Sequence, residues 1–380
     1  MSQDSKEWIK SRMNALKKQA GFAFNQDVFI SILLCLISGR DKHLLLTAPP
    51  GRLKEVTHLT SQICKCLFGF TTAQMTCKEQ QTQDDLVEAL FKEDNEPFYK
   101  TAQHKSRSFN TLDTQISDEE SFLNMTPVSP VDFTLRRTKQ PFGSSPSFYT
   151  KDQQPKRSLM TRIVQTLIIE DLDKAEESIQ TILLDLMVNK ELYLSNIRYN
   201  VPKPFFLIIT VLPHDFNRLS INSQLMDRFF ISFQFEEEML QNYSLSSNPL
   251  SRAPRRQALM KQDEIKALAE KAKKVYVHID ISRYVRDIVV GIRTHPRVKG
   301  GVTARSSQDL VTVTKSLATL FERNFLTPDL VTIATEKVFS HRLHMLATNE
   351  RDDEIEREDM DSNLAFDIVA EILHIINVPI

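Results

Sequence analysis

Three short, unbroken apolar runs limit this 380-residue chain more than any other feature: HLLLTA (43–48), TLIIE (166–170) and FFLIITVLP (205–213). Each is too short for a buried helix. None alternates polar with apolar residues, so each predicts a strand covered on both faces. Strands buried in that way are parallel, and parallel partners need a long crossover, usually a helix, between them. KEVTHLTSQICKCLFG follows the first run and ends at Gly69. KAEESIQTILLDLMVNK follows the second, with Ile179, Ile182, Leu183, Leu186 and Met187 on one helical face. Two further helices are expected ahead of the first strand, SKEWIKSRMNALKKQA and NQDVFISILLCLIS, the second capped by Asn25 or Asp27 and closed by Gly39. ELYLSNIRYNVPKP reads as a hairpin, and NSQLMDRFFISFQF as a short helix running into a strand. An α/β unit with a parallel sheet follows.

Composition divides the rest. From about Asp94 to Lys156, Ser, Thr, Gln, Pro and charged residues dominate without either structural period, which predicts a disordered insert. Its Thr126-Pro127, Ser129-Pro130 and Ser145-Pro146 pairs fit either a proline-directed kinase or an untargeted loop. A polar, Arg-rich linker over 241–262 separates the α/β unit (41–240, preceded by helices over 1–40) from a helical remainder at 263–380. That remainder contains DISRYVRDIVVGIRTH, SSQDLVTVTKSLATLFERN, TPDLVTIATEKVFSHRL and NLAFDIVAEILHIINV.

A formal net charge of -1 surrounds the molecule with no positive field, so there is no specific nucleic-acid signal, although a local basic patch stays open. No run approaches the roughly 20 apolar residues of a membrane helix, and MSQDSKEWIK lacks the apolar centre of a secretory signal. The four cysteines (Cys35, Cys64, Cys66, Cys77) show no zinc or redox spacing and read as reduced thiols. The expected location is cytoplasmic or nuclear.

The stretch HLLLTAPPGRLKEVT has the strand, turn and helix of a phosphate loop. Such a loop binds phosphate through successive backbone N–H groups, glycines that let the backbone approach, a lysine, and a hydroxyl that holds magnesium. Against G-x-x-x-x-G-K-[ST], APPGRLKE puts Ala48 and Leu53 at the glycine positions and Glu55 at the hydroxyl position, and Lys54 alone matches. TLIIEDLD delivers Glu170 and Asp171 together at a strand end, where an ATPase needs one carboxylate for magnesium and one to orient water. The usual order is Asp then Glu. Taken singly, the lysine also fits a chance residue after a strand, and the acids a helix cap.

Five segments taken in order resemble the MoxR and magnesium-chelatase I-subunit branch of the AAA+ ATPases. EDLDKAEESIQTILLDLM resembles its Walker B segment and following helix, with Asp173 in the place of an Asn and Gln180 in register. FFLIITVLP resembles its sensor-1 strand, NSQLMDRF its arginine-finger stretch, HPRVKGGVTARSSQDL its sensor-2 segment, and NFLTPDLVTIATEKVFSHRL its lid motif. The resemblance implies a three-layer α/β/α P-loop NTPase core followed by an all-α lid, with ATP or ADP and Mg2+ as cofactors. By position, Lys54 would be the phosphate lysine, with Pro50, Gly51 and Glu55 around the nucleotide. Glu170 would be the magnesium-side acid and Asp171 the catalytic-side acid. Arg228 would be the finger reaching a neighbouring subunit's γ-phosphate, and Arg305 the sensor-2 arginine folded over the same phosphates from the lid.

The departures are specific. Leu212 stands where a sensor-1 Asn would hold the attacking water, Glu55 replaces the magnesium hydroxyl, and Ala48 adds a β-carbon where the turn is expected to need positive φ. The leading expectation is therefore an ATP-binding subunit with impaired hydrolysis, acting in a ring with itself or a related AAA+ subunit on an unknown protein client. Two alternatives stand beside it. One is an active chelatase-type motor, kept open by Glu170 and Asp171; the other is a nucleotide-free scaffold, favoured by Ala48, Glu55 and Leu212.

Overall fold

The computed structural model describes residues 7–20, 22–91, 162–194, 197–244, 258–346 and 354–379. The expected disordered insert with its three Ser/Thr-Pro pairs, and most of the expected linker, lie outside these residues.

Helices α1 (Glu7–Ala20) and α2 (Gln26–Ser38) lead into β1 (His43–Ala48). Asn25 is the cap of α2: its side chain accepts from the N–H groups of Asp27 and Val28, and Gly39 closes the helix by donating to the Cys35 carbonyl. Next come α3 (Leu53–Gln62), which widens into a π turn over Ile63–Leu67, then β2 (Thr72–Thr76) and α4 (Gln83–Phe91). Strand β3 (Thr166–Glu170), helix α5 (Glu177–Asn189) and the antiparallel hairpin of β4 (Glu191–Leu194) with β5 (Ile197–Asn200) follow. Strand β6 (Leu207–Pro213), α6 (Ser223–Met226), β7 (Phe229–Gln234) and α7 (Glu237–Ser244) complete the α/β part.

The five-stranded parallel sheet has the order β2-β3-β6-β1-β7. Alternation across β1 shows why its run is continuously apolar: Leu44, Leu46 and Ala48 enter one hydrophobic core, and Leu45 enters the other, with α5. The chain turns back at β1, since β6 lies on one side of it and β7 on the other. Open α/β sheets bind ligands at the carboxyl ends of strands beside such a switch.

The helical part comprises α8 (Gln262–Lys274), α9 (Ile279–Thr294), α10 (Ala304–Leu320), α11 (Pro328–Phe339) and α12 (Glu354–Ile375). A short pairing of β8 (Val298–Gly300) with β9 (His344–Met345) ties its loops. Thr303 and Ser306 form a reciprocal capping box at the start of α10. The lid has no separate core. Leu310, Val313, Leu317, Val331 and Phe339 belong to the same apolar cluster as Val28, Ile32 and Phe230.

Candidate functional site

The two ends of the sheet carry different chemistry. At the carboxyl ends, the loop after β1 is a tight turn in which the Arg52 N–H donates to the Pro49 carbonyl at 3.1 Å. Pro50 and Gly51 hold its central positions, and Gly51 has φ +86°, the type II pattern. The expectation that position 48 needs positive φ is corrected: Ala48 is the fully buried last residue of β1, and the left-handed residue is Gly51. Leu53, at the second glycine position, packs partly buried against the core. Pro49 and Pro50 have no N–H and Arg52 uses its own, so the concavity that would cradle a phosphate has lost donors.

Lys54 is exposed and makes no ion pair or side-chain hydrogen bond with any described residue. Glu55 is ion-paired to Arg52 at 2.7 Å, and Arg52 also reaches Glu237 at 3.1 Å. Glu170 ends β3 in register with Val211 of β6, which in turn is level with Leu46 of β1, so it faces the phosphate loop across one intervening strand. The Thr76 hydroxyl donates to its carboxylate at 2.9 Å. Asp171 adopts a left-handed conformation (φ +53°), with its N–H donating to the Val211 carbonyl and its carboxylate 3.3 Å from Lys174. The Asp173 carboxyl is pushed up by burial, with Asp171 and Asp215 adding to the effect. Leu212, fully buried in the second core, offers no polar atom here. Gln180 spans two segments: its amide donates to the Ala175 and Ser220 carbonyls and accepts from the Asn222 N–H, fixing the approach to α6.

The amino ends hold a dense charged junction. His43 pairs with Phe229, so Asp41 and Lys42 before β1 are level with Asp227 and Arg228 before β7. Helix α10 brings its first turn to the same edge: Thr303 donates to Asp227 Oδ1 at 2.9 Å, and Arg305 Nε lies 3.7 Å from Asp227 Oδ2. Arg342 is buried, with Nη2 donating to Asp309 Oδ2 at 2.7 Å and to the Asp227 and Phe229 carbonyls. Lys42 holds the other Asp309 oxygen at 2.7 Å. Arg228 makes no ion pair or side-chain hydrogen bond with any described residue. Burial, and after it the neighbouring Arg305, pulls its pKa down. A cavity of about 290 Å³ opens here, lined in part by Ser223, Gln224, Asp227, Thr303, Arg342 and His344, and not beside Lys54.

The structure thus brings together Arg228 and Arg305, and separately the loop of Pro50, Gly51, Lys54 and Glu55 with Glu170 and Asp171. The expectation that Arg305 folds over the phosphates at Lys54 is corrected. Six residues of β1, roughly 17 Å of strand, separate the two ends, and Arg305 is held at the far one by Asp227. Asp227, Asp309 and Arg342 stood inside the quoted stretches MDRF, SSQDL and SHRL without a role, and Lys42 stood outside every motif. Among the described residues no His/Cys/Asp/Glu grouping forms a metal site, and no helix is long and apolar enough to cross a membrane.

Comparison with known proteins agrees with this architecture. Residues 291–361 match the AAA lid domain family. The chain is 34% identical over 82 residues to Maintenance of telomere capping protein 2 of Kluyveromyces lactis, covering 20% of this chain and 30% of that protein. It is 22% identical over 221 residues to the uncharacterized protein YeaC of Bacillus subtilis, covering 56% and 65%. The matches therefore span less than two thirds of these relatives' own length. The crystal structure of a candidate ATPase from Cytophaga hutchinsonii superimposes with a TM-score of 0.62 at 14% identity, over 99% of this chain and 98% of that one. Parallel sheet, helical lid and structural neighbour together give the chain the fold of the AAA+ ATPases, an α/β nucleotide-binding-type core followed by an AAA lid.

Proposed function

We propose that this chain is a divergent AAA+ subunit of the MoxR and magnesium-chelatase I type, one that binds ATP weakly, hydrolyses it slowly or not at all, and works by lending cations to a neighbouring subunit. The observation that carries this reading is the position of Arg228 next to Asp227, which Arg305 approaches at 3.7 Å, at the amino ends of the strands and opposite their own Lys54. Arg228 and Arg305, both partly exposed, are suited to phosphate oxygens, which accept charge-assisted hydrogen bonds. A neighbour packed head to tail would supply those phosphates.

The chain's own loop supports the weak-binding half. Proline at 49 and 50 removes backbone donors, and each hydrogen bond to a charged group contributes about 1.5–3 kcal/mol. Glu55 adds a carboxylate beside the phosphate position, and Leu212 cannot orient water. Lys54 remains as the main attraction, and Glu170, whose carboxylate accepts from the Thr76 hydroxyl, would be the acid that holds Mg2+. Calorimetric titration of the purified chain with ATP and magnesium tests this. Binding in the high micromolar to millimolar range that disappears in Lys54→Ala is expected; no heat at millimolar ATP would leave the scaffold reading, and rapid steady-state turnover lost in Asp171→Ala would restore the motor.

A further inference from the structure

The lid is tied to the α/β part through several separate elements. Arg12 of α1 pairs with Glu264 of α8 at 2.7 Å, the hydroxyls of Ser38 in α2 and Ser316 in α10 lie 2.9 Å apart, and Lys42 holds Asp309. Arg218, in the loop between β6 and α6, donates to the Ser340 and Leu343 carbonyls at the end of α11. The Phe229 carbonyl of β7 accepts from His341 and Arg342, and the Ser232 hydroxyl meets that of Ser340 at 3.0 Å. The lid's share of these ties is buried: Asp309, Ser316, Ser340 and His341 are at most 4% exposed. Lifting the lid would break the ties together. It would also bare Phe230 and Ile231 of β7, the end strand of the sheet, along with Leu310, Val331 and Phe339.

We infer that this lid is a fixed part of the core: it does not swing as a separate body, with nucleotide or without, and core and lid open only together. Lids that move are drawn from elements with few buried contacts, so that they open far below the cost of unfolding the whole. The joint here is built in the opposite way. A signal from the β1 loop then passes through the sheet and not through a lid closing over it. A monomeric chain that binds no ATP would still have the fixed lid, so the two readings fail separately. A native reporter lies under the joint. Cys35 of α2 is fully buried, and close enough to Lys42 and the lid's Asp309 for both charges to act on its thiol. Cys64 and Cys77 are buried within the α/β part, where burial pushes both thiols up to about 12. Such thiols react only from an opened molecule.

The test is alkylation of the full chain by N-ethylmaleimide in urea below the unfolding transition, read cysteine by cysteine by mass spectrometry, with and without MgATP. Cys35 is expected to react no more than about threefold faster than Cys64 and Cys77, and with the steep urea dependence of global unfolding. Arg218→Ala removes the donors to both carbonyls at the end of α11 from a partly exposed position, and should speed Cys35 and Cys64 by the same factor. A larger excess of Cys35 over Cys64, a urea dependence of Cys35 shallower than that of global unfolding, or an acceleration of Cys35 alone by MgATP would mean a lid that lifts by itself, and overturns the inference. Acceleration of Cys35 alone in Arg218→Ala overturns it equally.

Discussion

The carboxyl and amino ends of one sheet hold their charges in opposite ways. At the carboxyl ends, the turn after β1 is closed by Pro50 and Gly51, Leu53 packs partly buried against the core and Glu55 is ion-paired to Arg52 on the exposed surface. At the amino ends, the contacts are numerous and buried, running from Lys42 through Asp309 and Arg342 to Asp227 and Arg305. A turn of exposed residues tolerates substitution with little cost to the fold. A charged junction inside the core does not, since removing one partner leaves the other buried and unpaired. The difference teaches that the charged contacts which the fold depends on lie where sheet and lid meet.

Breaking the amino-end junction should have the largest effect. Arg342→Ala leaves Asp309 with Lys42 alone and is expected to cost about 3–5 kcal/mol, measured by urea unfolding. A change below 1 kcal/mol would mean the junction is decorative.

Acid should attack the same end. Burial pulls the His43 pKa down to about 3, and His341 sits well below its ordinary value through burial and then Arg342. Both stay neutral when folded, while the unfolded chain takes up protons below about pH 6.5. Their contribution to stability is full above pH 6.5 and lost as pH falls, by about 2 kcal/mol for His43 between pH 7 and 5. Urea midpoints across that range give the slope, and His341→Gln should make it shallower.

Gly301→Ala sharpens the comparison further. A Cβ there would lie 2.0 Å from the Arg342 carbonyl oxygen, at a φ of +100°, so the loop must move away from Arg342. A loss of about 1–3 kcal/mol in thermal unfolding is expected. The smallest effect belongs to the other end: Lys54→Ala, at an exposed position, should change stability by less than about 0.5 kcal/mol while abolishing ATP binding.

Strands β1, β3 and β6 were legible in the sequence because both faces are buried and every residue must be apolar. Strand β2, TAQMT, escaped because it is an edge strand whose Gln74 is exposed. Helix α8 falls at the start of the expected helical remainder, and its Ile265, Leu268 and Ala272 stand at helical spacing on one buried face. Glu170 and Asp171 at a strand end were readable for the same reason as the strand itself. The amino-end junction was not, since Lys42, Asp227, Asp309 and Arg342 come from four distant segments and meet only when the lid docks. Nothing in the sequence states at which end of the sheet that docking occurs, and the expected place of Arg305 failed on this point.

Sedimentation velocity of the chain with and without MgATP, wild type beside Arg228→Ala, tests most directly whether the amino-end arginines face a neighbouring subunit. The account predicts a concentration-dependent assembly in wild type that is at least tenfold weaker in Arg228→Ala, with unchanged unfolding of the monomer. A strict monomer under both conditions, or assembly indifferent to Arg228, would contradict it.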